Sequence, residues 1–391
     1  MKFKGLWKDV TGFFRVNKLR KNAIKNASAS EKYLDPIAEV ANELHPEYLD
    51  LVVTKIEEEP HAKKMTFERT DGKKLPPFDA GQYVSLALKI GDTLTTRPYS
   101  VCSAPFEARL EEHPHISICV VRKEDGFASK FLCDSVSIGD HFSATFPLGF
   151  FYFEPLRDCK KVVALAGGSG ITPFLSMAKE IRHGTLEMDL TILYGSSTPQ
   201  MLLKRELEDC VCGSLHLVPV ISNDSNFEGE KGFLDREKIR RYSQGEVSYF
   251  ACGPQAMYEF VERELRALNI PTKRIRMETF GSPKDIAKEE GYPQGEEKKS
   301  FRLTVYRGIH KDEIPAKANE PILVALERAG IPSNSHCRSG ECGFCRCELL
   351  SGSVFVPKKG DGRRYSDKTF GYVHACSAYP LSDLEIRIII K

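Results

Sequence analysis

From about Leu51 to Phe153 apolar and polar residues alternate, or apolar residues run together, in short stretches: LVVTKI, KKMTFERT, QYVSLALKI, HISICVVRK and DHFSATF. Asp-Gly, Pro-Pro and Gly-Asp pairs separate them, and a period of two broken by turn residues predicts antiparallel strands that close into a barrel. From Lys160 to Phe280 the texture changes. The runs KKVVALA, MDLTILYG, SLHLVPVIS, VSYFACG and KRIRMETF alternate with helical segments, which predicts a parallel, doubly wound sheet with helices on both faces. Such a sheet offers its ligand site at the carboxyl ends of its strands. Residues 281–300 hold three Gly, two Pro and nine charged positions without apolar periodicity, the composition of an exposed linker.

The opening segment, residues 1–49, reads as one or two short helices in which Trp7, Phe13, Phe14, Val16 and Leu19 interleave with basic residues. Its first thirty residues carry eight Lys/Arg against one Asp. An amphipathic basic helix packs its aromatic side on a neighbouring domain, or lies on an anionic membrane surface or an acidic partner. Both readings stand, and no chemistry is assigned. No continuous apolar core follows the basic residues, so they do not read as a secretory signal. Nor does any stretch approach the ~20 apolar residues of a spanning helix.

A length of 391 residues predicts two to three domains. The boundaries are set at 1–49 for the basic extension, 50–156 for the barrel, 157–280 for the doubly wound domain, 281–300 for the linker and 301–391 for the remainder. A net charge of +2 argues against nucleic-acid binding as the main activity. With no export signal, the twelve cysteines point to a reducing cytoplasm, where clustering means metal or redox chemistry before disulfides.

Cys337, Cys342, Cys345 and Cys376 stand as C-x4-C-x2-C followed, thirty residues later, by a fourth Cys, which is the plant-type spacing for a [2Fe–2S] cluster. Three ligands close together let one loop wrap the cluster, and the remote fourth pins it to the domain body. Ser339, Gly340 and Gly343 remove bulk, so backbone amides can turn toward the sulfurs. The competing reading, structural zinc, calls for two short-spaced Cys/His pairs, and the spacing disfavours it. Cys347 lies off the pattern and reads as a small buried hydrophobe. His310, His336 and His374 are near in sequence, but four cysteines already satisfy the cluster.

Arg97-Pro98-Tyr99-Ser100 ends a barrel strand with groups suited to a phosphate, an aromatic ring and a polar ring edge. Gly126-Phe127-Ala128-Ser129 opens a helical run, where free amides and a hydroxyl make a phosphate cradle. Two such devices in one barrel suit a diphosphate. Gly167-Gly168-Ser169-Gly170-Ile171-Thr172-Pro173 joins a buried strand to a helix as a variant dinucleotide loop. Cys252-Gly253-Pro254, with Met257 following, ends another parallel strand, although a cysteine such as Cys252, taken alone, is more often a buried structural residue.

These motifs, in this order and followed by a plant-type ferredoxin pattern, resemble the ferredoxin–NAD(P)+ reductase superfamily over roughly residues 50–391. The layout is similar to reductase components of multicomponent oxygenases and to the reductase of hybrid-cluster protein. The resemblance implies a β-grasp ferredoxin domain of α+β class beside the antiparallel β-barrel and the α/β domain. It implies that Arg97, Pro98, Tyr99 and Ser100 hold the flavin, with Ser100 near its reactive nitrogen, and that Gly126, Phe127, Ala128 and Ser129 bind the pyrophosphate. Gly168, Gly170 and Thr172 would line the nicotinamide site, Cys252 would flank the transferring carbon, and Gly253, Pro254 and Met257 would shape the pocket. Phe280 matches the end of the reductase core near the flavin, although this chain continues past it. Resemblance of the RPYS and GxxS pairing and of the aromatic Pro147–Phe151 stretch favours FAD over FMN.

The implied activity is electron transfer from NADH or NADPH through FAD and the cluster to a protein acceptor, an oxygenase, hydroxylase, hybrid-cluster protein or other redox enzyme. Ser196, Ser197 and Thr198 after the second parallel strand offer neither a carboxylate nor an Arg to choose between the nucleotides, and Lys204 and Arg205 downstream fit a solvated helix equally well. Residues 300–391 hold fourteen Lys/Arg against ten Asp/Glu, which predicts an acidic partner surface meeting Arg338 and Arg346 beside the cluster. The alternative is an electron-transfer subunit of a larger complex that does not turn over alone, a role that would not need both the GGSGITP and CGPQAM motifs.

Overall fold

The structure, a computed structural model, describes residues 5–27, 36–44, 46–283 and 285–388. Parts of the basic extension, Lys284 of the expected linker and the last three residues lie outside the described residues. The chain divides into two units, residues 1–44 and 45–391. The first holds helices α1 (Leu6–Lys25) and α2 (Pro36–Leu44), so one helix is much longer than the sequence pattern predicts. Asp9 in the first turn of α1 and Lys25 in the last both complement the helix dipole.

The second unit begins with six strands: β1 (Leu49–Glu59), β2 (Ala62–Arg69), β3 (Tyr83–Ile90), β4 (Thr93–Ser100), β5 (His115–Val121) and β6 (His141–Leu148). They pair antiparallel in the order β4-β3-β6-β1-β2-β5. A bridge between Val101 and Ile118 joins the two edge strands and closes the sheet into the expected barrel. Alternation puts Leu49, Leu51 and Val53 of β1 inside with Phe67, Leu86 and Phe142, while the intervening positions face outward. Helix α3 (Phe127–Ser135) adds Leu132 and Cys133 to that core.

The next sheet is parallel throughout, with β7 (Lys161–Gly167), β8 (Asp189–Ser196), β9 (Leu215–Ile221), β10 (Glu230–Lys231), β11 (Val247–Cys252) and β12 (Ile275–Glu278) in the order β10-β9-β8-β7-β11-β12. Strand order reverses at β7, so the loop after it sits at the switch point where such sheets bind ligands. Helices α4 (Thr172–His183), α5 (Lys204–Cys210), α6 (Arg236–Tyr242) and α7 (Gln255–Ala267) cover the faces. Pro173 starts α4 and Gly184, at φ 87°, stops it in the left-handed conformation an L-residue resists. Helix α4 is buried along most of its length because it faces both its own sheet and the barrel. Its Ser176 hydroxyl donates to the Ser103 carbonyl at 2.7 Å, and its Glu180 carboxylate accepts the Phe106 amide at 3.0 Å.

The last sheet, with β13 (Ser300–Arg307), β14 (His310–Lys317), β15 (Arg346–Ser351), β17 (Tyr372–His374) and β19 (Leu384–Ile388), runs β14-β13-β19-β15-β17. Its one parallel pairing is β13 with β19, and helix α8 (Ile322–Arg328) packs across it. Two short strands, β16 (Val354–Phe355) and β18 (Tyr379–Pro380), form a small side sheet, and α9 (Tyr365–Thr369) precedes β17. Most described residues of the segment 281–300 are exposed, but two are anchored. Ile286 and Tyr292 are buried against Tyr379, and the Tyr292 hydroxyl donates to the Ala318 carbonyl at 3.1 Å. Two apolar residues six apart in a charged stretch carry no period, yet each finds its own seat on the domain that follows.

Phe151, just past β6, leaves the barrel and enters the core of the parallel sheet, 5.8 Å from the Phe174 ring and 5.3 Å from that of Phe250. Phe151→Ala should therefore cost about 3–5 kcal/mol, read as a lowered urea midpoint at unchanged slope. A loss below about 1 kcal/mol would mean the ring is not seated between Phe174 and Phe250.

Candidate functional site

Strand β4 carries the RPYS residues, and its register with β3 sets Leu86 opposite Arg97 and Tyr83 opposite Ser100. The Arg97 guanidinium bonds to the Thr95 hydroxyl and, at 2.7 Å, to the Thr96 carbonyl. Burial and the neighbouring Arg338 cation bring its pKa down to about 10. A buried cation bonded to these neutral oxygens fits an anionic group such as a phosphate. Gly126 caps α3 with no side-chain hydrogen bond to the first-turn amides. A Cβ on Gly126 would stand 2.1 Å from the Ser129 hydroxyl, so glycine keeps this end of the helix open. Phe127 is half exposed and Ala128 is buried.

At the switch point the loop 168–171 makes one 3-10 turn into α4, and Thr172 bonds back to the Ser169 carbonyl at 3.0 Å. A Cβ on Gly170 would lie 2.0 Å from the Cys252 carbonyl oxygen, and one on Gly253 would lie 2.5 Å from the Met257 sulfur. The two nucleotide motifs therefore pack backbone against backbone, which gives Gly170 a packing reason for having no side chain. Pro254 is the N-cap of α7, so its turn ends the strand and opens a helix beside that loop.

The parallel register of β11 and β12 sets Cys252 directly beside Glu278. Ser100 reaches across from the barrel and donates to the Glu278 carboxyl at 3.0 Å. The Tyr258 hydroxyl bonds the Glu278 carbonyl and accepts the Gly253 amide at 3.1 Å. Burial raises the pKa of Glu278 well above the carboxylate range and that of Cys252 well above the thiol range, so Cys252 is a neutral thiol at pH 7 and the protonated form of Glu278 is favoured. Phe280 meets the Tyr83 ring edge-on at 5.4 Å. Glu278, Tyr258 and Tyr83 were not singled out from sequence. Glu278 stands two residues before Phe280 at the end of the last parallel strand, and that position was the available signal.

Cys337, Cys342, Cys345 and Cys376 come together at one end of the last sheet. Cys337, Cys345 and Cys376 are buried and Cys342 is exposed. Backbone amides point at the sulfurs: Gly340 to Cys376 at 3.2 Å, Cys342 to Cys337 at 3.4 Å, and Ser339 to Cys337 and Cys376 to Cys345 at 3.5 Å. Thiol partners Cys342 and Cys376, with these amides, hold Cys337 and Cys345 below the ordinary thiol range. Gathered sulfurs with amides turned toward them fit an iron–sulfur cluster. Gly340, at φ 85°, leaves no room for a Cβ, which would be 2.0 Å from the Gly360 carbonyl. Cys347 is buried in the apolar core, as its off-pattern position predicts.

Arg338 departs from the sequence expectation of a partner-facing cation. Its side chain is buried and forks onto Glu327 of α8, with Nη2 to Oε2 at 3.0 Å. Glu327 also accepts the Thr95 hydroxyl of β4 at 2.8 Å, and the Thr96 hydroxyl donates to the Ser335 carbonyl at 2.8 Å. The Arg is thereby committed to fastening the cysteine loop to the strand that carries Arg97. A second tie runs from Thr279, next to Glu278, to Glu341 of the cysteine loop at 3.2 Å. The end of the last parallel strand thus touches the barrel on one side and the cysteine loop on the other.

Three family models match in the same order: an oxidoreductase FAD-binding domain over residues 51–153, an oxidoreductase NAD-binding domain over 164–263, and a 2Fe-2S iron-sulfur cluster binding domain over 309–381. Among curated proteins the chain is 28% identical to a component of the 1,2-phenylacetyl-CoA epoxidase of Escherichia coli (strain K12) over 318 residues, 78% of this chain and 86% of that one. It is also 28% identical to the NADH oxidoreductase HCR of the same organism over 313 residues, 79% and 88% of the two chains. A solved phthalate dioxygenase reductase, described as a modular structure for electron transfer from pyridine nucleotides to [2Fe-2S], superposes with a TM-score of 0.64 at 25% identity, covering 88% of this chain and 98% of that one.

Because the folded state holds the Glu278 proton that the unfolded chain releases near pH 4.5, the native state loses stability as pH rises above that value toward the raised folded pKa. Glu278→Gln removes the titration, so its stability relative to the parent should climb steadily across that window in urea melts at successive pH values. A difference that stays flat with pH would mean that Glu278 is ionised in the folded protein.

Proposed function

We propose that this chain, which joins the FAD-binding, NAD-binding and 2Fe-2S domains of the ferredoxin–NAD(P)+ reductase superfamily in one polypeptide, moves electrons from NADH or NADPH to a separate protein acceptor. It is an oxidoreductase, as its named relatives are. When bound, the nicotinamide supplies a hydride, FAD accepts it, and the [2Fe–2S] group passes electrons singly. The protein's part is placement. The observation that carries this reading is the chain of contacts Cys252, Glu278, Ser100, Thr279 and Glu341, which ties the nucleotide strands, the flavin strand and the cysteine loop to one point.

Arg97 and the open N-terminus of α3 are suited to the diphosphate of FAD. Ser100 and Glu278, whose burial favours the protonated form, give the flavin's polar edge a hydroxyl and a carboxyl, and the protonated carboxyl adds no buried negative charge to oppose the arrival of electrons. Cys252, small and protonated, leaves room beside that edge for the nicotinamide ring, and Gly168, Gly170 and Thr172 let backbone approach the nucleotide. The name of one relative, an NADH oxidoreductase, favours NADH.

The acceptor side is supported by the surface around exposed Cys342. A cavity of about 290 Å³ there is lined by Phe344, Arg346, Arg364 and His374. Between residues 358 and 368 the chain holds five Lys/Arg and two Asp, and of these cations Lys358 pairs with Glu290 and Lys359 with Glu259 and Glu262. Both acids are already paired, Asp361 with Arg363 and Lys368, and Asp367 with Arg346. Exposed Tyr365 and Phe370 complete a basic, aromatic face that suits an acidic redox protein. Relatives named for an epoxidase and a dioxygenase favour an oxygenase component as that acceptor, and the cysteine usage favours the cytoplasm.

Anaerobic titration of the purified holoprotein with NADH and, separately, NADPH should bleach the flavin and iron–sulfur absorbance bands together with one of them. Bleaching of the flavin alone would break the link to the cysteine loop, and bleaching of neither would leave an electron-transfer subunit that does not turn over alone. Arg346→Gln with Arg364→Gln should slow reduction of an acidic haem protein such as cytochrome b5 by about threefold to tenfold at low salt, with the gap closing as salt rises. Unchanged rates with cytochrome b5, or equal slowing with basic cytochrome c, would move the exit face elsewhere.

A further inference from the structure

Electron transfer leaves helix α1 unused, and its composition is unlike the rest of the chain. At 100° per residue, Phe13, Val10, Phe14 and Trp7 fall within about 120° of one another. All four are exposed, Trp7 at 82%. Lys8, Thr11 and Arg15 occupy the opposite side of the same turns. Beyond Val16 the cations Lys18, Arg20, Lys21 and Lys25 spread over about 160° of the helix, on the side of the aromatic cluster and its flanks.

We propose that α1 is a surface anchor that lies on an anionic lipid bilayer, with Trp7, Val10, Phe13 and Phe14 at the acyl boundary and the basic residues among the lipid phosphates. The charge is complementary, since residues 1–30 carry eight cations against one anion. The position of those cations favours a bilayer over an apolar groove on a protein. Lys21 and Lys25 fall on the same side as the aromatic cluster. In an apolar protein groove two lysines at these positions would be buried without partners, whereas at a bilayer their long stems reach sideways and set the ammonium groups in the headgroup layer. Aromatic bulk at one end and cations at the other make a helix that is amphipathic without being strongly apolar, the character of elements that rest in the interface and do not span it. Among the described residues no helix is long and apolar enough to cross a membrane.

Trp7 is the single tryptophan of the chain, so intrinsic tryptophan emission reports on this helix alone. The experiment uses the full-length holoprotein with vesicles of phosphatidylglycerol and phosphatidylcholine in equal parts, and with vesicles of phosphatidylcholine alone. Expected are a blue shift of Trp7 emission, protection from acrylamide quenching and co-sedimentation with the anionic vesicles, and about tenfold weaker binding in high salt. Phe13→Ser with Phe14→Ser keeps Trp7 as the reporter and should abolish the shift. Lys18→Glu with Lys21→Glu should abolish the preference for anionic lipid. NADH-driven reduction of a soluble acceptor should be the same in both variants, which shows that the rest of the protein is folded. The proposal is overturned if Trp7 emission ignores both vesicles, which would leave a protein partner for the helix, or if the Phe variant binds as tightly as the parent, which would reduce the binding to charge alone.

Discussion

A buried carboxyl group is costly unless it is hydrogen-bonded, and Glu278, whose burial favours the protonated form, takes a hydrogen bond from Ser100. Its position follows from the parallel register that sets it beside Cys252, and its hydrogen bond comes from Ser100 of the barrel. A group held from two sides cannot move with one domain alone. Displacing the barrel strand would leave the carboxyl without its partner in an apolar setting, so this contact fixes how β4 faces the parallel sheet.

The other close contacts extend the same constraint outward. Gly170 touches the Cys252 carbonyl with no space for a side chain, so the nucleotide loop is registered against the strand that ends beside Glu278. Helix α4 begins immediately after that loop and fastens its far side to the barrel through Ser176 and Glu180. On the opposite flank Arg338 sits at φ 57°, a conformation an L-residue adopts rarely, and its fork onto Glu327 offsets that strain. Because Glu327 also takes the Thr95 hydroxyl, the residue next to the first cluster cysteine is locked to the strand that holds Arg97. The spacing between the strand that carries Arg97 and the loop that carries Cys337 is thus set by a buried ion pair and is not left to a flexible connection.

Charge is distributed by function. Cations near the flavin site are buried and committed, Arg97 to backbone and hydroxyl oxygens and Arg338 to Glu327. Arg346 and Arg364 line the surface cavity beside Cys342, with Arg346 paired to Asp367, and the cations of α1 have a single acid near them in sequence. Only the last two groups have field to spare for a partner. Arg338 and Arg346, eight residues apart and read alike from sequence, fall on opposite sides of that division because one points into the α8 contact and the other lines a surface cavity.

Local pattern was enough for much of this protein. A period of two, broken by turn pairs, specifies antiparallel strands, and buried runs alternating with helices specify a parallel sheet, because each is a property of neighbouring residues. The cysteine spacing needs only one loop and one remote ligand, and it too is written locally. What depended on the tertiary structure is every contact between residues far apart in the chain. Glu278 looks like any strand-end glutamate until the register sets it beside Cys252, and Glu327 looks like a solvated helix acid until Thr95 and Arg338 close on it. The segment 281–300 looks like a tether until Ile286 and Tyr292 find their seats. Burial and partnership are properties of the assembled fold, and a carboxylate, a guanidinium or an isolated tyrosine has the same appearance in a sequence whether it ends in water or in the core.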